Sequence, residues 1–243
     1  YIGNLPHLQD ITTKLELLNS MGSSINFHED GFIEINSSNI LLPEARYELV
    51  KTMRASILVM GPLVAKYGKA KISQPGGCDI GTRPIDFHLS GLEKMGAEIT
   101  SDSRYIYLKA KKLNPIDFSF PKVSVTGTEN LMMAATLIDG TTTLKNCAKE
   151  PEVLELANYL NSCGAKISGA GESEIEIKGV KKLEASRWDV LFDRIEAGTY
   201  LVAGAITNGH VKVNKINPNT ISIISKKLID MGVKVNVGSD YVE

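Results

Sequence analysis

The chain of 243 residues is 43% hydrophobic and 23% charged, and its formal net charge is −1 at pH 7. This balance is typical of a soluble globular chain that is long enough for one large domain or two small ones. The near-neutral total charge provides no overall positive excess for binding nucleic acid or an anionic membrane. No segment has the length and apolarity of a membrane span. The three cysteines are odd in number and lack metal-ligand spacing, which favours a reducing, cytoplasmic compartment.

Helix and strand patterns alternate along the chain in a repeating order. The first repeat predicts, in chain order, helix 8–21, strands 25–27 and 32–35, helix 47–60, a resumed helix to Tyr67, and strand 69–73. We expect Gly61 and Pro62 to interrupt the second helix, because proline cannot continue an interior helical turn.

Two further repeats follow, and the chain then stops inside a repeat. The second repeat predicts helix 85–95, strands 98–100, 105–110 and 118–120, helix 131–138 and strand 141–145. The third predicts helix 152–163, strands 166–168, 174–178 and 187–191, helix 196–207 and strand 211–214, before a last helix 220–231 and strand 234–237.

Four helix-end glycines set the period of the repeat. Gly22, Gly96, Gly164 and Gly232 each follow a Leu-x-x-(Met/Cys) pattern, and their spacings are 74, 68 and 68 residues. A period of about 70 residues is longer than that of the common solenoids and suits a compact α/β unit with two helices and three or four strands. The apolar helices predict an α/β fold with helices inside and sheets packed around them.

One connection is longer than its counterparts in the other repeats. It carries the segment Pro75-Gly76-Gly77-Cys78-Asp79-Ile80-Gly81-Thr82-Arg83-Pro84. Lengthened loops on a regular scaffold tend to carry function, Arg83 offers a planar fork for phosphate, and Cys78 beside such groups can become acidic and reactive. These residues alone leave open the alternative of a plain surface loop with a buried, inert cysteine.

The repeat also aligns polar residues near helix starts. Arg54, Thr126 and Ile195 each lie fourteen residues before a helix-ending glycine. Three helix N-termini from one pseudo-symmetric fold can converge on an anionic ligand. The alternative is that Thr126, Thr128 and Asp193 are only N-caps, with Glu129 and Glu196 as first-turn acids.

The glycine-rich segment resembles the active-site loop of the UDP-N-acetylglucosamine enolpyruvyl transferases (1-carboxyvinyltransferases), which begin peptidoglycan synthesis. The resemblance continues in 47–56, 123–130 and 193–196 and covers essentially the whole chain. The related shikimate-pathway enolpyruvyl transferases share the fold without this cysteine loop. The resemblance implies an inside-out α/β barrel with pseudo-threefold repeats, in which 1–191 form most of the nucleotide-sugar-binding domain and 192–243 the first repeat of a second, truncated domain.

The resemblance also implies an activity that needs no cofactor. The enolpyruvyl group of phosphoenolpyruvate would pass to the 3′-hydroxyl of UDP-N-acetylglucosamine by addition and elimination, in the cytoplasm and with no nucleic-acid or membrane partner. Cys78 would be the proton donor and the residue that fosfomycin alkylates, and Arg83 would hold phosphate and close the loop. The substrate-binding residues implied are Arg54, Arg83, Pro84, Ile85, Asp86, Phe87, Lys122, Val123, Ser124, Val125 and Arg194.

Family members are longer at both ends. By resemblance, a Lys-Asn pair should lie upstream of Tyr1, and an aspartate general base and further phosphate-binding arginines should follow Glu243. We therefore expect the chain alone to keep the scaffold and weak nucleotide-sugar contacts but little catalysis. Two alternatives stay open: a non-catalytic nucleotide-sugar binding module, and an interaction protein that uses the same fold.

Overall fold

The structure is a computed structural model that describes residues 1–51, 53–74 and 85–243. It divides into two compact units, Tyr1–Asp189 and Val190–Glu243, and each unit is considered by itself. The expectations for Cys78, Arg83 and Pro84 lie outside the described residues. The assignment of 1–191 and 192–243 to two family domains stays a prediction.

Short strands and helices alternate in the first unit. Its strands are β1 (Ile2–Gly3), β2 (Ser24–Phe27), β3 (Ile33–Asn36), β4 (Glu44–Ala45), β5 (Lys69–Ser73), β6 (Glu98–Ser101), β7 (Tyr105–Lys109), β8 (Asp117–Ser119), β9 (Thr141–Lys145), β10 (Lys166–Ser168), β11 (Glu174–Lys178) and β12 (Trp188–Asp189). Its α-helices are α1 (Gln9–Met21), α2 (Tyr47–Val50), α3 (Met60–Tyr67), α4 (Asp86–Lys94), α5 (Val125–Ala135) and α6 (Pro151–Ser162), and a 3-10 helix spans Arg54–Val59.

The strands form three four-stranded sheets with one shared topology. Their orders are β12-β1-β3-β2, β4-β5-β7-β6 and β8-β9-β11-β10. In every sheet the first pair is parallel and the next two pairs are antiparallel. The first sheet joins the two ends of the unit, because Ile2 pairs with Trp188. The predicted pseudo-threefold α/β fold is therefore confirmed.

The helix α5 lies in the interior that the sheets enclose. Leu131, Met132 and Ala134 of this helix have no exposed surface. The strands alternate between core and solvent, so that Ile175 and Ile177 of β11 are fully buried between exposed or half-buried polar neighbours. Full burial of one such aliphatic side chain contributes about 1.5–3 kcal/mol, which makes this interior the main source of stability for the unit.

Four sequence predictions differ from the structure. The predicted helix 47–60 is wrong, because it is broken into α2 and the 3-10 helix, and the break precedes Arg54. Gly61 and Pro62 do not interrupt a helix: they lie in the first turn of α3, where proline loses no intrahelical hydrogen bond. The predicted helix 131–138 begins earlier, at Val125, and the predicted strand 234–237 is reduced to a single bridge between Val237 and Val242.

The second unit contains one helix-strand-helix-strand series. Its elements are α7 (Arg194–Ile206), β13 (Val213–Asn214), a 3-10 helix (Pro218–Ile221), α8 (Ser222–Asp230) and β14 (Tyr241–Val242). The strands β13 and β14 pair antiparallel, and the small core comprises Ala197, Leu201, Ile216, Ile221, Leu228 and Val242. Across the described ranges of both units, the helices are too short or too polar to cross a membrane.

Candidate active site

The described candidate residues lie at or just before helix starts, and for Arg54 the alignment of the repeats predicts this position. Arg54 is the first residue of the 3-10 helix, and Arg194 is the first residue of α7 in the second unit. Ile85, Asp86 and Phe87 lie at the start of α4, while Lys122, Val123, Ser124 and Val125 lead into the start of α5. Three of these helix starts lie in the first unit, and one lies in the second.

A buried pair of polar side chains ties the three helix starts of the first unit together. His88 on α4 is 2% exposed and Asn130 on α5 is 0% exposed. Asn130 Oδ1 accepts from the Gly61 N–H at 2.7 Å, and Asn130 Nδ2 donates to the Ile57 carbonyl at 3.2 Å and to His88 Nδ1 at 2.8 Å. The pair therefore joins α4 and α5 to the helical segment that begins at Arg54.

His88 is held in its neutral form. Burial of the imidazole, together with the nearby positive charge of Arg54, lowers its pKa to about 4. Its Nε2 atom lies 3.3 Å from Thr126 Oγ1 at the start of α5. Arg54 and Thr126, which the sequence placed at equivalent positions, thus both lie near one buried histidine.

The start of α5 is capped by Ser124. Its Oγ accepts from the Gly127 N–H at 3.1 Å, and its carbonyl accepts from the Thr128 hydroxyl at 2.8 Å. Of the three N-caps in the alternative interpretation, Asp193 is confirmed, since its carboxylate accepts from the Ile195 and Glu196 N–H groups. Thr126 and Thr128 are not caps, because both lie within α5. Glu196 lies in the first turn of its helix as expected.

The first turn of α5 carries no acidic residue, and Glu129 lies beyond it, so that its predicted role as a first-turn acid is wrong. In the described part of the chain, no protein acceptor takes the Val125 and Thr126 N–H groups. This helix start is therefore a set of hydrogen-bond donors without a local negative charge, which is an arrangement suited to an anion.

Close helix contacts support this arrangement. A Cβ atom on Gly61 would clash with the side-chain oxygen and the carbonyl of Asn130, and one on Gly91 would clash with the Leu131 side chain. Only glycine lets α3 and α4 come so near α5 without displacing those groups. The hydrogen bonds of Asn130 and His88 depend on that approach.

The sequence interpretation missed two ionisable groups near the site, Lys14 and His88, and did not foresee the altered pKa of a third, Glu129. Lys14 on α1 donates to the Ala55 carbonyl at 3.0 Å, next to Arg54, and loss of hydration lowers its pKa to about 8. Burial, with Glu152 and Glu150 nearby, raises the pKa of Glu129 to about 7. His88 and its partner Asn130 are 42 residues apart in sequence, and no local pattern in the sequence links such distant positions.

The remaining candidates differ in exposure. Lys122, Val123 and Asp86 are exposed, while Ile85 and Phe87 pack partly against the core. Within residues 1–51, 53–74 and 85–243, no group of three or more His, Cys, Asp or Glu side chains is placed to hold a metal ion.

Comparison with known proteins gives one family and several longer relatives. A family model described as EPSP synthase (3-phosphoshikimate 1-carboxyvinyltransferase) matches residues 1–243. The UDP-N-acetylglucosamine 1-carboxyvinyltransferases of two strains of Coxiella burnetii, Dugway 5J108-111 and RSA 331 / Henzerling II, are each 49% identical over 243 residues. That alignment covers 100% of this chain and 56% of each relative, so the chain spans about half of their length.

Solved structures share the fold at low sequence identity. The enolpyruvyl transferase NikO from Streptomyces tendae matches with a TM-score of 0.83 and 20% identity, over 99% of this chain and 58% of its own. EPSP synthase from Acinetobacter baumannii matches with a TM-score of 0.70 and 18% identity, over 99% of this chain and 57% of its own. At these identities the likeness concerns the fold.

Proposed function

The chain belongs to the EPSP synthase (3-phosphoshikimate 1-carboxyvinyltransferase) family, and we propose that it takes part in the transfer of an enolpyruvyl group to UDP-N-acetylglucosamine. The observation that carries this choice of substrate is the 49% identity, over the whole chain, to proteins with that named activity. The proposal places the chain in peptidoglycan precursor synthesis in the cytoplasm, with phosphoenolpyruvate as the second substrate.

The proposed reaction has two stages. The 3′-hydroxyl oxygen of the sugar bonds to C-2 of phosphoenolpyruvate while C-3 gains a proton and the hydroxyl proton leaves. The tetrahedral intermediate then loses phosphate and a C-3 proton, which restores the double bond. Catalysis therefore needs a proton donor for C-3, groups that stabilise the phosphate charge, and exclusion of water from the intermediate.

The described site supports binding of the nucleotide sugar. Lys122 and the donor-rich start of α5 are suited to the diphosphate, and Arg54 supplies positive charge near His88. In the proposal, residues 83–87 and 122–125 bind the uridine diphosphate part, and Arg194 is a further substrate-binding residue. Cys78 is the proposed proton donor for C-3, and Arg83 is the proposed phosphate ligand.

Reaction with fosfomycin tests the proposal through one covalent bond. The Cys78 thiolate would open the epoxide, forming a C–S bond while the ring oxygen takes a proton. Cys147 and Cys163 are only 1% and 6% exposed, and burial raises the pKa of Cys147 to about 11, so we expect neither to react. Intact mass and peptide mapping should therefore show a single adduct, on Cys78, that forms faster when UDP-N-acetylglucosamine is present.

Two controls make this experiment specific. Shikimate 3-phosphate should leave the labelling rate unchanged, since the proposal assigns the site to a nucleotide sugar. A Cys78→Ser variant should gain no adduct. Labelling of Cys147 or Cys163 at the same rate, or acceleration by shikimate 3-phosphate instead, would contradict the proposed function.

A further inference from the structure

The orientation of the Asn130 amide is fixed by two backbone groups. The Gly61 N–H can only donate, and it lies 2.7 Å from Oδ1. The Ile57 carbonyl can only accept, and it lies 3.2 Å from Nδ2. The second hydrogen of Nδ2 is therefore directed to His88 Nδ1 at 2.8 Å, so that Nδ1 acts as an acceptor and carries no proton.

The proton of the neutral His88 ring consequently lies on Nε2. Burial and the charge of Arg54 keep the ring from gaining a second proton near neutral pH. Nε2–H donates to Thr126 Oγ1 at 3.3 Å. In the described ranges, this bond is the one hydrogen bond of the Thr126 hydroxyl, whose own proton is left to donate elsewhere.

We propose that the Thr126 hydroxyl donates a hydrogen bond to an anionic oxygen of the ligand at the start of α5, and that His88 and Asn130 are positioning residues that direct it. This inference rests on the proposed function, in which residues 122–125 bind the diphosphate of a nucleotide sugar. Thr126 is half-buried, so part of the residue is open to a ligand. The hydroxyl adds a third donor to the Val125 and Thr126 N–H groups, in a turn without an acidic residue.

Paired substitutions at Thr126 test the hydroxyl. We expect Thr126→Val, which keeps the shape and removes the donor, to weaken the binding of UDP-N-acetylglucosamine to the full chain about 10- to 100-fold in calorimetry, as loss of a hydrogen bond to a charged group does. Thr126→Ser keeps the donor and should bind within about threefold of wild type. Inorganic pyrophosphate serves as a second probe and should show the same order of affinities.

The outcomes separate this inference from the proposed function. UDP-N-acetylglucosamine binding that is equal in wild type and Thr126→Val overturns the inference and leaves the proposed function standing. Pyrophosphate binding that Thr126→Val weakens, without any binding of the nucleotide sugar, supports the inference and contradicts the proposed function. No binding of either probe contradicts both.

The positioning role has two readouts of its own. His88→Phe should weaken binding in the wild-type background and have little further effect in the Thr126→Val background, because the histidine acts through that hydroxyl. Side-chain nitrogen NMR of the wild-type chain should show His88 as the neutral Nε2–H form from pH 5 to 8, with His88→Phe assigning the signal among the four histidines. An Nδ1–H form, or titration in that range, overturns the assignment even if the variant fails to fold.

Discussion

Replacing Asn130 by leucine is expected to lower the free energy of unfolding by at least about 3 kcal/mol. Leucine matches the size and branching of asparagine, so the substitution removes hydrogen bonds without opening a large cavity. It leaves the Gly61 N–H, the Ile57 carbonyl and His88 Nδ1 without their partner in a fully buried place. Each unsatisfied buried group costs about 1–3 kcal/mol, and urea unfolding followed by circular dichroism measures the sum.

Asn161→Leu is the matched control. The Asn161 side chain also bonds two backbone groups, the Ile167 N–H and carbonyl, both at 2.9 Å. Asn161 is exposed, so water can replace the lost partner and the expected cost is only about 1 kcal/mol. An equal loss of unfolding free energy in the two variants would show that burial of the His88–Asn130 pair does not raise the cost of losing these hydrogen bonds.

The helix ends were predictable because the sequence records them locally. Gly22, Gly96, Gly164 and Gly232 all have positive φ, between 89° and 114°, which glycine adopts without the strain of a side chain. Their spacing gave the period of the repeat, and the second set of helix-ending glycines, Gly68, Gly140 and Gly209, placed Arg54, Thr126 and Ile195 at equivalent positions. The positions of these candidate residues within the fold thus follow from a local signal repeated along the chain.

What the sequence did not predict depends on distant partners. The pairing of β1 with β12 joins residues at opposite ends of the first unit, and the bond between His88 and Asn130 spans 42 residues. The start of α5 was placed too late because Thr126, Gly127 and Thr128 are weak helix formers. The Ser124 cap and the burial of Gly127 and Thr128 against the core override that weak propensity.

The early start of α5 also changes the expected role of Glu129. The carboxyl group lies past the first turn, where the helix dipole helps an acid less, and it faces the charges of Glu150 and Glu152. Its pKa in the folded chain is about 7, above the ordinary value of 4.5. The folded state therefore binds more protons than the unfolded state between those two values, and stability falls as pH rises through that window.

Glu129→Gln should remove this penalty. We expect the variant to be more stable than wild type by about 3 kcal/mol at pH 8, where the carboxyl is charged, and about equal to it at pH 4, where both states largely hold the proton. The measurement is urea unfolding of both chains from pH 4 to pH 8. Glu98→Gln, at an exposed position on β6, is the control and should change stability by less than about 0.5 kcal/mol at either pH.

The difference in unfolding free energy between Glu129→Gln and wild type separates the effect of Glu129 from that of His88, which changes stability with pH in the opposite direction. The pKa of His88 is lowered to about 4, so the unfolded state binds more protons from there up to the ordinary value of 6.5, and stability rises with pH in that window. The two groups nearly cancel in the wild-type chain between about pH 4.5 and 6.5. In Glu129→Gln, stability should therefore rise with pH between about 4 and 6.5 because of His88. If the difference in stability between variant and wild type stays constant from pH 4 to 8, Glu129 does not hold its proton near neutral pH.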